Sequence, residues 1–150
     1  MTDKSFANEL QTALSRPDAD DLARHIQMYY DHYKAGLPEW SDEDSDALEA
    51  IMDASLDDPD KTLAYVMLAA AKYDDANFLG YVACGPLENL LVQPPAEIIE
   101  RVVSEARKMA RLGWMLSIPF RHALAPEALE AIKPFLVDAD KEPLPPRPWA

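Results

Sequence analysis

Apolar residues in this chain recur at helical spacing and nowhere alternate convincingly with polar ones, which leaves little room for a β-sheet. Leu63, Val66, Met67 and Ala70 stand at i, i+3, i+4 and i+7, just after Asp58 and Pro59. An aspartate side chain can accept from a free first-turn N–H. Proline suits the first helical position because its missing N–H has no intrahelical acceptor there. Leu22, Ile26, Tyr29 and Tyr33 repeat the spacing behind Asp20 or Asp21 and stop at Gly36. Phe6, Leu10 and Leu14, ahead of Pro17, predict a short helix before them. Ala47, Leu48, Ile51 and Met52 predict the buried face of another, opened by Ser41. After Pro94-Pro95, Ile98, Ile99, Val102, Ala106 and Met109 predict a long helix that Gly113 ends, with Glu97–Arg101 and Arg101–Glu105 paired on its outer face. Trp114 to Phe120 is a short apolar piece, and Pro126 opens a last helix through Leu129, Ile132 and Phe135. The expected fold is all-α: a compact array of about seven helices, mostly antiparallel hairpins.

Residues 78–91, FLGYVACGPLENLL, place two of the four glycines and a proline inside the most continuously apolar segment. Gly85 can close one helix and Pro86 can open the next. This predicts a bent helical pair at the centre of the fold, with Leu87, Leu90 and Leu91 on its second arm. Glu88 would accept there from free N–H groups at the helix start. The run Gly85, Pro86, Leu87, Glu88, Asn89, Leu90, Leu91 has an apolar helix before it and an amphipathic helix after it. It resembles the core turn of an uncharacterised family of small bacterial all-helical domains that share a Gly-Pro-Leu-Glu-x-Leu-Leu motif. The resemblance spans Leu63 to Ala110 by pattern and Gly85 to Leu91 by motif. It implies a helical fold and brings no activity, cofactor or site residue with it.

Charge is the second constraint. The net charge is −13, and from Ala35 to Asp60 ten acidic residues occur without a lysine or arginine. Arg101, Arg107, Lys108, Arg111 and Arg121 reverse the sign further on, facing only Glu105. A field of this kind repels nucleic acid and favours cationic partners. Glu39, Trp40, Asp42, Glu43, Asp44, Asp46 and Glu49 are therefore expected to form an acidic binding face for a basic protein partner. An immunity or antitoxin-like protein covering a basic toxin is one version. The competing expectation is a small-molecule or enzyme pocket near Glu88 and Tyr81.

No catalytic residue, metal ligand set or cofactor is expected. Asp42, Asp44, Asp46 and Asp53 echo a calcium loop, but Ala47 replaces its glycine and Asp53 its bidentate glutamate. His25 and His32 lie seven residues apart, a rise of about 10.5 Å, too far to share one ion easily. They fit the rim of a tyrosine-rich core face. Cys84, with no activating cation nearby in sequence, is expected to be a small buried hydrophobe rather than a nucleophile paired with His122. Glycine-rich phosphate loops, CxxC, GxSxG and HExxH do not occur. No cationic leader precedes an apolar stretch, and no apolar run approaches the roughly 20 residues a membrane span needs, so a cytoplasmic location is expected. Beyond a helical domain at 1–137, the segment 138–150, with four prolines in its last eight residues, predicts an extended, disordered tail.

Overall fold

The helix that opens at Asp58 is the axis of the molecule. A computed structural model describes residues 8–36, 42–119 and 121–146, with the side chains of 8 and 42–44 outside that description. Every described segment with regular structure is helical: α1 (Asn8–Leu14), α2 (Ala19–Ala35), α3 (Asp42–Asp57), α4 (Pro59–Lys72), α5 (Ala76–Val82), α6 (Glu88–Leu90), α7 (Ala96–Lys108), α8 (Ala110–Leu116) and α9 (Pro126–Ile132). A π-helical turn, Ala83–Leu87, joins α5 to α6, and 3₁₀ turns lie at Arg121–Ala123 and Lys133–Phe135. Among the described residues, no helix is long and apolar enough to cross a membrane.

Asp58 caps α4 as its sequence implies, its side chain accepting from Lys61 N–H with Pro59 in the first turn. From Thr62 to Ala70 every residue of α4 is buried. A helix apolar on all sides must be surrounded, and α1, α2, α3, α5, the π turn and α6 all pack on it. The expected central place of the Gly85-Pro86 segment thus belongs to α4. Thr62, at the start of this stretch, donates back to the Asp58 carbonyl.

Gly85 and Pro86 do not break a helix. Val82 and Glu88, on either side of the π turn, keep right-handed helical backbone, and Glu88 N–H reaches the carbonyl of Ala83, five residues back. Pro86 cannot donate to residue i−4 and its ring crowds that carbonyl. A widened π register relieves the crowding without ending the helix. Glu88 therefore opens α6 without a break in the helical backbone, its own N–H already bonded. Gly85 owes its place to a close approach: a Cβ there would lie 3.3 Å from the Tyr29 hydroxyl.

Gly36, at φ 64°, closes α2 by donating to the carbonyls of His32 and Tyr33. Asp18, and not Asp20 or Asp21, is the residue before α2. Its carboxylate takes the Arg16 guanidinium at 2.8 and 3.1 Å instead of capping. Gly113 lies inside α8 rather than ending α7; the chain breaks at Met109, which turns to an extended conformation. The tail is docked as far as it is described. Trp114 Nε1 donates to the Glu142 carbonyl at 3.0 Å, Arg111 Nε donates to the Pro145 carbonyl at 2.9 Å, and Leu144 packs against the core. Its last four residues lie outside the described part.

Candidate functional site

The acidic run becomes a stripe on α3. At 100° per residue, Asp46, Glu49, Asp53 and Asp57 fall within an arc of about 80°, and all four are exposed. Ala47, Ile51 and Ala54 occupy the opposite side and are buried in the core. From Asp46 to Asp57 the stripe runs about 16 Å at the α-helical rise. Helix α3 packs against the π turn and α6 as well as α2 and α4. The Gly85–Leu91 segment, with Pro86, Leu87, Leu90 and Leu91 buried, thus forms part of the bed on which the acidic helix lies.

Several carboxylates elsewhere in the fold find cations. Glu9 holds the Arg101 guanidinium through both oxygens, at 2.7 and 2.9 Å, and Asp60 and Glu97 complete the cluster. Asp21 meets Arg24, Asp75 meets Lys34, and Asp74 meets Arg111 at 2.6 Å. Among the described residues, Asp46, Glu49, Asp53 and Asp57 have no ion-pair partner. Asp42, Glu43 and Asp44 lie on the first turn of the same helix, their side chains undescribed, and Glu39 and Trp40 fall outside the described residues. Because Asp42, Asp44 and Asp46 sit in a continuous helix, they lack the looped backbone of a calcium site. Among the described residues, no group of three or more His, Cys, Asp or Glu is placed to hold a metal.

Tyr81, 42% exposed, stacks on Tyr29 with ring centroids 5.2 Å apart. Tyr33, Phe78, Tyr30 and Tyr73 extend the aromatic layer inward. Burial, together with Tyr81, pushes the Tyr29 hydroxyl well above the ordinary phenol range, so it stays protonated. Glu88 is half-buried. Cys84 is exposed, contrary to expectation, on the same side of the helix as Tyr81. Partial burial and the Glu88 carboxylate push its thiol up, away from thiolate reactivity. His25 Nδ1 lies 2.7 Å from the Tyr65 hydroxyl, whereas His32 is buried rather than at a rim.

Two buried charged residues escaped the sequence reading. Arg111, 1% exposed, donates to the carbonyls of Ala70 and Tyr73 at the C-terminal end of α4, at 2.8 and 3.0 Å. Glu105 is buried and accepts from Glu9 N–H at 3.2 Å, so its expected pairing with Arg101 gives way to a tie between α7 and α1. Both were signalled by phase. Arg111 stands between Met109 and Leu112, and Glu105 stands three residues from Val102 on the apolar side of α7. The expected basic stretch is correspondingly thinned, since Arg101 and Arg111 are spent on internal contacts.

Fold and surface together define an all-helical domain built around one enclosed helix and presenting a second, carboxylate-lined helix to solvent. The chain belongs to a family of unknown function, DUF6869, whose model matches residues 37–135. That span begins just before the acidic helix and ends with the 3₁₀ turn after α9. No curated protein and no solved structure matches the chain.

Proposed function

We propose that this is a non-enzymatic interaction domain that binds a basic protein partner on the exposed face of α3. The observation that carries the reading is a concentration of charge: four exposed carboxylates lie on one face of α3 without an ion pair among the described residues, whereas Glu9, Asp21, Asp60, Asp75 and Glu97 each meet a cation. Exposed like charges in a row repel one another and weaken a helix slightly. A cationic partner would relieve that repulsion and would be drawn in by the field of the stripe. An immunity or antitoxin-like protein that neutralises a basic toxin is one concrete form of this function.

The test is kinetic. Tagged protein captures its partner from source cells, and association is then measured for wild type and for the Asp46→Lys, Glu49→Lys, Asp53→Lys triple variant at two ionic strengths. The variant should associate roughly tenfold more slowly at low salt and show a flatter salt dependence, with helical circular dichroism unchanged because exposed charges add little to stability. Equal rates and equal salt slopes would leave the stripe with solubility as its only role.

A further inference from the structure

We propose that the groove between the end of α3 and the α6–α7 connection receives an apolar side chain from the same cationic segment whose charges lie along α3. This rests on the reading of α3 above and adds the partner's pattern: a basic stretch with an aliphatic anchor near one end.

The groove has a volume of about 270 Å³ and a mixed lining, in which Leu56, Leu90, Val92 and two prolines stand beside the polar Ser55, Asn89 and Gln93. That is at the lower edge of the roughly 300–1,000 Å³ range of small-molecule pockets. Its scale suits a side chain. Leu56 is 85% exposed and Val92 41% exposed, so two large aliphatic side chains face water beside an opening they could help close. Leucines scattered on a surface need no explanation; one that forms the wall of a groove at the end of a charged stripe stands in the arrangement of an interface, an apolar centre with a charged margin.

Charge selects the occupant. Leu56 follows Glu49 and Asp53 at i+7 and i+3 on the helix and directly precedes Asp57. None of the groove's lining residues is a lysine or arginine. An anionic lipid surface would meet these carboxylates unfavourably, and so would a second copy of a chain carrying a charge of −13. A segment with lysines or arginines along one side and a leucine-like residue at its end satisfies stripe and groove together.

Two synthetic lysine-rich helical peptides of equal charge supply the probe, one with a single leucine near one end and the other with a serine there. The leucine peptide should bind wild type about tenfold more tightly than the serine peptide. In Leu56→Ser, Val92→Ser protein this preference should vanish while the serine peptide binds as before. Both side chains are exposed, so circular dichroism and melting should report an intact fold. Salt-sensitive but equal binding of both peptides by wild type would overturn the groove and leave the acidic-face reading standing. Failure of both to bind at low salt would remove the two together. A preference that survives in the double variant would place the apolar contact elsewhere. Concentration-dependent dimerisation of the protein alone, abolished by Leu56→Ser, would assign the groove to a second copy and overturn the proposal.

Discussion

At Gly113 there is room for a hydrogen and little else. A Cβ built there would lie 3.0 Å from the backbone carbonyl oxygen of Phe135 and 3.5 Å from its Cβ, so the segment after α9 would have to retreat. Gly85 is less confined, with the tip of Tyr29 at 3.3 Å, and Gly80 has nothing within 4 Å. The three sites should therefore rank in order when the side chain is added. Gly113→Ala should cost on the order of 1–3 kcal/mol through overpacking against backbone. Gly85→Val should also destabilise, since two branches must pass the Tyr29 hydroxyl. Gly80→Ala lies in a helix with open space and should gain about 0.5–1 kcal/mol from helix propensity. Thermal melting of the three single variants checks this. If Gly113→Ala melts at or above Gly80→Ala, close approach is not what fixes glycine at position 113.

Among the elements, the segment after Asp138 most changes what can be expected of a truncation. It brings the carbonyls of Glu142 and Pro145 to Trp114 and Arg111, and Ala139 and Leu144 pack against the core. Deleting residues 138–150 uncovers a buried indole and leaves Arg111 Nε without its acceptor. The loss should be on the order of 2 kcal/mol or more, lowering the melting midpoint by several degrees. An unchanged midpoint would mean that the segment only drapes over α8. Nothing in its sequence announces this docking, because the groups that anchor it are main-chain carbonyls, which every residue possesses. The legible features are those whose partners lie within a few residues: Asp58 with Lys61, Gly36 with His32. Gly113 and Arg111 answer to groups 22 and 34 or more positions away, and their local sequence suggested a stop and a surface cation. Pro86 was misread for a different reason, since a proline penalises the α register without forbidding the wider one. At the candidate site, the exposure of Asp46 and Glu49 followed from their phase against Ala47 and Ile51. The same phase places Leu56 off the buried side, but an apolar letter in an apolar pattern draws no notice.

For the whole molecule, stability near neutral pH should be linked to one imidazole. Burial, and after it the cations Arg24 and Lys61, hold His25 below its ordinary value, with Asp21 and Asp18 opposing them more weakly. A neutral ring can accept from the Tyr65 hydroxyl 2.7 Å away, and a protonated one cannot. The unfolded chain binds this proton near pH 6.5 and the folded one only at lower pH. Between the two values the unfolded state therefore holds more protons, and stability falls as the pH is lowered through that window. Urea midpoints at pH 7.5 and 5.5 should show a larger drop for wild type than for His25→Asn. An equal drop in both would clear His25 of the linkage.

The tie from Arg111 back to α4 also sets an order in time. Helix α4 is spelled out by Lys72, yet the carbonyls of Ala70 and Tyr73 are taken up by a guanidinium 41 and 38 positions later, whose Nε is engaged only by Pro145. A chain leaving the ribosome residue by residue thus carries its innermost helix with an open end until α8 has followed it out. The enclosing helices before Leu91 can gather around α4 early, but the carbonyls at its C-terminal end have no guanidinium to take them until α8 arrives.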